Sequence, residues 1–510
     1  MPHKFSTLAL AISCTLISVP TDVFSATVSS TVAQTFLGIG GSGAWWPHDL
    51  FNFPDSVRQN LSTLLFSDAG LGISSYRYNL GGGGVGVSNP VRAPQTPYVS
   101  AGVYNFSADP QGTFFLQQAS NFGVPGITMF INSAPAPLTS NKFSCGGQFV
   151  NANGPAYATY IVDVAEHWRE AGINISYISA MNEPDNSFGT PPTCGQEGML
   201  VEPNQRSVLV SDLWNELNSR GLSNTIGILA DETSAMGKFY LNLLDFIHTR
   251  PLGTAITEYP VWLPEVVDMV AHIAHHAYDF PSDASYLTYI NSVKSIAPGK
   301  STWMSEICCS VGTPTDTGIG FAEGFDPTIN NALMWAGLVF QSFIIGGEAH
   351  YDFWTMVSNG LGCEPLTDPT CATTANSEGW TDGMIYYDPD YATNGNFELY
   401  IVKHFWVYKH FGNFVKPGTQ RNPVTGSGAN DVTLVVSNST TYSVIAMNPN
   451  TTASTLSLTF PQSVCAKTAF LTSATENFAT IAAATGKGST WSLPLSATSL
   501  STYIFDRSAC

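Results

Sequence analysis

Charge is scarce in this chain. Only 11% of its 510 residues are Asp, Glu, Lys or Arg, against about a quarter in ordinary soluble domains. Basic residues are the scarcest: 19 Lys and Arg face 38 Asp and Glu, for a net charge of −19. That balance argues against nucleic acid and anionic membrane as partners, because both are held by basic patches. No CxxC pair occurs, which argues against a structural zinc site. Nothing beyond the N-terminus reads as a membrane span. The run GGGGVG at 81–86 is followed by no GK[ST] and opens no helix, so a phosphate cradle is not expected there. It reads as a loop whose missing side chains let backbone lie close to a ligand or to another loop.

What is present points to export. Lys4 precedes an apolar run at 8–19, too short to cross a bilayer, and small residues follow at Ser25 and Ala26. Residues 1–25 are therefore expected to be a cleaved signal peptide. Of nine cysteines, Cys14 lies in that leader and eight remain. An even count in an oxidising compartment predicts disulfides. Cys363 with Cys371 brackets a short loop, Cys465 with Cys510 ties down the C-terminus, and Cys145 with Cys194 joins two loops. The adjacent Cys308 and Cys309 either bond each other or stay reduced. Sequons at Asn60, Asn105, Asn174, Asn438 and Asn450 permit N-glycans in a eukaryotic host.

Eight short apolar or β-branched runs alternate with helical patterns. They are FLGIGGSG, ISSYRYNL, GITMFINS, ISYISAMN, TIGILADE, HIAHHAYD, STWMSEI and AHYDFWTM, beginning at residues 36, 73, 126, 175, 225, 272, 301 and 349. Helices are predicted at 56–66, 111–122, 156–171, 205–220, 261–270, 284–296 and 328–345. This order is that of an α/β fold, a (β/α)8 TIM barrel, here assigned to 37–411. From about 412 to 510 the texture changes to Thr, Ser and Val in period-two alternation, as in DVTLVVSN. That is expected to be an attached antiparallel β-sandwich, joined by a strand from 26–36.

In such a barrel, reacting groups sit where strands end at the C-terminal face. Glu183 closes the fourth predicted strand and Glu306 the seventh. Two carboxylates facing across the mouth suit glycoside hydrolysis, one donating a proton and the other attacking the anomeric carbon or activating water. A lone Asn-Glu-Pro also serves as a turn and cap; the second strand-end glutamate is what favours chemistry. Along the sixth strand His272, Ala274, His276 and Tyr278 share a face, so His276 and Tyr278 approach Glu306 from next door, while His275 points away. That parity also argues against a histidine metal site. Arg77 is placed to hold a carboxylate charged, or to form a structural ion pair. Trp354, Trp45 and Trp46 offer aromatic faces to a sugar ring, or pack in the core.

The stretches GIGGSGAWW, SSYRYNLGGGG, AMNEPDNSFG, CGQEGM, AHHAYD and WMSEICC, which begin at residues 38, 74, 180, 194, 274 and 303, resemble family 30 of the glycoside hydrolases. The likeness is nearest to its fungal endo-β-1,6-galactanases and runs along most of the chain. It implies the same barrel with a side β-sandwich, and retaining hydrolysis without a cofactor or metal, acting on arabinogalactan-type β-1,6-galactan outside the cell; a monomer is the default expectation. It implies Glu183 as acid/base, Glu306 as nucleophile, and Asn182 as the amide reading the sugar 2-hydroxyl. Arg77, His276, Tyr278, Trp354 and Trp46 stand as supporting, substrate-binding positions. β-1,6-Glucanase or xylanase activity, or a non-catalytic carbohydrate-binding role, are the alternatives. Departures in loops, at the Cys363 to Cys371 insert and the PPT before Cys194, bear on chain-length preference.

Overall fold

The computed structural model describes residues 22–237, 266–309, 323–426 and 432–510. The expected leader run at 8–19 lies outside them, and so does the first half, 261–265, of the helix expected at 261–270.

Eight strands close a parallel barrel: β1 (Gly38–Gly43), β2 (Ser75–Asn79), β3 (Gly126–Phe130), β4 (Ile175–Ser179), β5 (Gly227–Asp231), β6 (His272–His276), β7 (Thr302–Glu306) and β8 (His350–Phe353). Each falls inside one of the eight runs read from the sequence. The runs are apolar because both strand faces are covered, by helices outside and by packed side chains within. At the lower end the rings of His272, Trp303 and His350 stack at 4.7 and 4.0 Å. The polar residues are held for the upper end.

Helices at Asp55–Phe66, Pro110–Asn121, Gly154–Glu170, Pro203–Ser219 and Asp283–Ile296 surround the barrel. After β7 an apolar helix, Ile329–Phe340, continues through a π-helical turn, Gln341–Gly346. By length and composition this 18-residue stretch is apolar enough to cross a membrane, yet 67% of it is buried against the protein. A further helix, Lys403–Phe414, was not expected from the sequence. It follows β8 only after a long excursion that carries a small three-stranded sheet and the Cys363–Cys371 bond.

The side domain has a five-stranded and a seven-stranded sheet. Val28, Val444, Leu458, Leu493, Tyr503 and Phe505 fill the space between them. Its N-terminal contribution begins earlier than expected. The strand Asp22–Val28 pairs in parallel with Ser454–Thr459 from Asp22 onward, inside the segment assigned to the leader. Gln34–Thr35 joins the other sheet. The helix Lys403–Phe414 links the two domains: buried His410 bonds Thr502 and Thr472 of the seven-stranded sheet at 2.7 and 3.0 Å. The three expected disulfides form, and Cys308 and Cys309, left open by the sequence, bond each other.

Candidate active site

The upper mouth of the barrel holds a cleft of about 460 Å³. At its base the chain runs past the end of β4 without losing its partners. The Asn182 amide donates to Ile131 O and the Glu183 amide to Glu232 O, both at 3.0 Å. Glu183 has φ 44° and Glu232 φ 62°. Such backbone is costly for a side-chain-bearing residue and persists only where surroundings over-determine it, often at functional sites. Glu306 needs no such device, as it is the last residue of β7.

Eight side chains form one network at the base of the cleft. Arg77, from β2, donates to Glu306 Oε2 at 2.8 Å and to Asn182 Oδ1 at 3.3 Å. The second bond turns the Asn182 amide so that its NH2 is left to face the cleft. Tyr278 donates its hydroxyl to Glu306 Oε1 at 2.9 Å. His276 sets Nδ1 3.0 Å from Glu183 Oε1 and Nε2 3.0 Å from Glu232 Oε2. Glu232 also lies 3.6 Å from Arg77 and accepts from Ser305.

The charges balance in one way. Burial alone opposes charge on every member. For Glu232, burial is outweighed by Arg77, His276 and Ser305, and its carboxyl drops to about 2. For His276, burial is outweighed by Glu306 and by the bonds to Glu183 and Glu232, and the imidazole rises to about 10. For Glu183, burial prevails over the bond from His276, and the charge of Glu306 adds to it, so its pKa is raised. Arg77 and His276 thus carry positive charge beside the Glu232 carboxylate, and the raised pKa of Glu183 favours its protonated form. Single oxygens of Glu183 and Glu306 and a nitrogen of His276 lie within 4.8 Å of one another, a spacing that would also admit a metal. The guanidinium 2.8 Å from Glu306 supplies the cationic charge there and repels a second cation.

The structure sorts the residues chosen from sequence into two groups. Asn182, Glu183, Tyr278, Glu306 and Trp354 line the cleft. Arg77 and His276 are fully buried and so do not line the cleft as substrate-binding positions; Arg77 holds Glu306 as the sequence reading allowed, while His276 bonds Glu183 and stands 3.7 Å from Glu306. Trp46 is also misplaced by the sequence reading. Trp45 has φ 68°, which turns the chain so that adjacent indoles part. Trp45 lines the cleft, edge-on to Trp354 at 4.8 Å. Trp46 goes into the core, packing on Phe115 at 4.6 Å and donating to Ser42 O.

Several groups escaped the sequence reading. Glu232 carried a signal: the fifth predicted strand, TIGILADE, ends on it. Trp380, Arg92 and Asp382 reach the cleft from loops and carried none. Arg92 lies over the Trp45 ring at 4.0 Å. Asp382 is pushed up to about 6 by burial, against a bond from Ser358 and the charge of Arg92, and its Oδ1 has no protein partner. The glycine loop is explained by buried Glu197 of CGQEGM, which accepts from Gly82 N at 3.0 Å and Gly84 N at 2.7 Å. Gly83 and Gly84, at φ 97° and 68°, allow the backbone to present both amides.

The profile of O-Glycosyl hydrolase family 30 matches residues 26–360. The chain belongs to that family. It is a glycosidase with a parallel barrel and an attached β domain. Among curated proteins it is similar to an exo-β-1,6-galactobiohydrolase of Bifidobacterium longum subsp. longum, 22% identical over 279 residues, covering 41% of this chain and 18% of that protein. The match thus spans under a fifth of the relative's length. Among solved structures it is similar to the catalytic domain of a family 30 xylanase C from Talaromyces cellulolyticus, with TM-score 0.68, 21% identity, 94% of this chain and 99% of that one. An endo-β-1,6-glucanase aligns with TM-score 0.65, 15% identity, 96% of this chain and 95% of that one. A conserved exported protein from Bacteroides fragilis aligns with TM-score 0.73, 19% identity, 94% of this chain and 99% of that one. At these identities the structural likeness concerns the fold.

Proposed function

We propose that the protein is a secreted, retaining endo-glycoside hydrolase that cleaves β-1,6-galactosyl linkages in the galactan side chains of arabinogalactan, acting as a monomer. The observation that supports the retaining mechanism is that one oxygen of Glu183 and one of Glu306 lie within 4.8 Å of each other. Retaining enzymes keep their carboxyls about 5–5.5 Å apart, while inverting enzymes need about 6.5–9.5 Å to admit water between them.

In the first step Glu306 attacks the anomeric carbon as Glu183 gives its proton to the departing glycosidic oxygen. Arg77 and Tyr278 donate to the two oxygens of Glu306 and keep it aimed. Asn182, its oxygen tied to Arg77, donates to the sugar 2-hydroxyl. Esterification of Glu306 removes one negative charge, so the pKa of Glu183 falls. Glu183 then takes a proton from water, which releases the sugar with the anomeric configuration it began with. Trp354 and Trp45 bound the sugar with apolar faces.

Galactose specificity is supported by the signature loops and by the name of the bifidobacterial relative. Secretion is supported by the apolar N-terminal run and by four disulfides. Product release from arabinose-stripped β-1,3/1,6-galactan, β-1,6-glucan and glucuronoxylan tests the substrate. Galacto-oligosaccharides from the first alone are expected; release from either other polymer instead would overturn the sugar assignment. Glu306→Gln should abolish turnover, and wild-type rate in that variant would sink the nucleophile. Glu183→Ala should retain the first step on an aryl glycoside with a good leaving group, where little protonation is needed.

A further inference from the structure

Cys308 and Cys309 close a disulfide two residues beyond Glu306, and both line the central cleft. The segment they end is held at three points. Glu306 closes β7. Ile307 O accepts from Trp354 N at 2.9 Å, which ties the chain to the cleft tryptophan. Cys308 Sγ lies 3.8 Å from the Tyr278 hydroxyl, the same hydroxyl that donates to Glu306 Oε1 at 2.9 Å. Cys309 then takes φ 65°, in the left-handed region that is costly for a residue with a Cβ. As small apolar side chains, two buried cysteines would pack equally well unbonded. What the bond adds is constraint. It closes a ring over one peptide unit and removes the torsional freedom through which Cys309 would leave that backbone.

The bond can be reached from the cleft. Cys309 is 9% exposed and Cys308 1%, so a small dithiol meets Cys309 first. Its thiolate attacks Cys309 Sγ and the S–S bond breaks. A mixed disulfide forms at Cys309, and Cys308 leaves as a thiolate that takes a proton from water. The second thiol of the reagent gives up its proton and displaces the Cys309 sulfur, which is protonated in turn. The reagent departs as a cyclic disulfide, and two electrons and two protons have passed to the pair. Among the described residues, none of the other six paired cysteines lines the cleft.

We propose that the Cys308–Cys309 bond is a positioning element for Glu306: it fixes the chain beyond β7 so that Tyr278 keeps its bond to the carboxylate, and its reduction by a dithiol reversibly slows turnover. The inference rests on Glu306 as the nucleophile, as proposed above. With the ring open, Cys309 relaxes to negative φ, the Cys308 sulfur leaves the Tyr278 hydroxyl, and one of the two donors that aim Glu306 loosens. The bond forms in an oxidising compartment, which ties full turnover to export.

The test treats the intact enzyme with dithiothreitol and follows each disulfide by alkylation and mass spectrometry of withdrawn samples. With the Cys308–Cys309 pair open, kcat should fall by about tenfold while KM changes by less than about twofold, and reoxidation should restore it. Product oligosaccharide in the cleft should slow the opening of this pair and leave that of Cys363–Cys371 unchanged. The double variant Cys308→Ser with Cys309→Ser should start at the kcat of the reduced enzyme and ignore the dithiol, with melting temperature as the check on folding. A merely structural bond would lower the melting temperature and leave kcat in place. Unchanged kcat with the pair open overturns the proposal without any variant. So does a pair that stays closed while the other three disulfides open, and so does wild-type kcat or a dithiol response in the folded double variant. Turnover is read on whichever of the galactan, the β-1,6-glucan and the xylan is cleaved. Release from the glucan or xylan alone overturns the galactose assignment and leaves the oxidised-to-reduced ratio measurable. Wild-type rate in Glu306→Gln, by contrast, would remove the nucleophile on which the proposal rests.

Discussion

Glu232 Oε2 lies 3.0 Å from His276 Nε2, on the side of the imidazole away from Glu183. Glu232 never reaches the cleft, yet it sets the charge of the ring that touches the acid. A carboxylate held at about 2, behind a histidine raised to about 10, keeps a positive charge against Glu183 across the working pH range. Glu232→Gln removes a negative neighbour, so the pKa of His276 must fall. NMR titration of the His276 ring should show the midpoint dropping by more than about one unit. In the same variant kcat should fall by roughly 10- to 100-fold with little change in KM. A purely structural role would lower the melting temperature and leave the His276 midpoint in place.

The two adjacent tryptophans should part company on mutation. Trp46 is 1% exposed and packed on Phe115. Trp46→Ala leaves a large core void, costing roughly 3–5 kcal/mol of stability, seen in denaturant unfolding. Trp45→Ala should cost far less stability but raise KM on polymer several-fold, because Trp45 lines the cleft. An unchanged KM for Trp45→Ala would remove it from the binding surface.

Glu197 ties the glycine loop to CGQEGM through two amide bonds. Glu197→Ala strands both amides and frees the loop. Hydrogen exchange at Gly82 and Gly84 should accelerate by about tenfold or more. Unchanged protection would mean that the loop is held by other contacts.

Two buried carboxyls should each withdraw stability as pH rises, against buried His272, His404 and His410, which are held at about 3 and add stability up to about 6.5. Burial raises Asp109 from 3.8 to about 7 and Glu197 from 4.5 to about 8. A carboxyl raised in the folded state contributes stability that is whole below its unfolded pKa. That contribution is lost as pH rises through the folded value, because the unfolded chain has already released the proton. For Asp109 the window runs from about 4 to about 7, with a ceiling on the order of 4 kcal/mol. Asp109→Asn keeps the N-cap and tolerates the left-handed φ of 54° at that residue. Thermal melts across pH 4 to 8 should therefore show Asp109→Asn gaining on the wild type as pH rises; parallel curves would refute the assignment.

The barrel could be read from the chain because its strands obey local rules. An apolar run such as GITMF, bounded by turn residues, is a buried strand wherever it falls, and eight of them alternating with helices leave few topologies. Glu183 and Glu306 were legible for the same reason, as charges at the ends of runs that otherwise exclude charge. Glu232 obeyed the rule too, at the end of TIGILADE. The helix Lys403–Phe414 was lost in a segment dense with aromatics, where core and surface positions do not separate by period. The strand Asp22–Val28 was masked by its place beside a leader-like run.

The sequence by itself determined the architecture and the two strand-end glutamates, since periodicity, parity and strand ends are local properties of a chain. Tertiary structure alone decided what stands behind and beside those glutamates. Arg77 and His276 support carboxylates without touching the cleft because barrel closure buries β2 and β6 under the mouth, and only the structure shows that His276 bonds Glu183 and Glu232. Trp45, and not Trp46, faces the cleft because one residue with positive φ turns the chain between them. Arg92, Asp382 and Trp380 converge from separate loops, and no local pattern records that distant loops will meet.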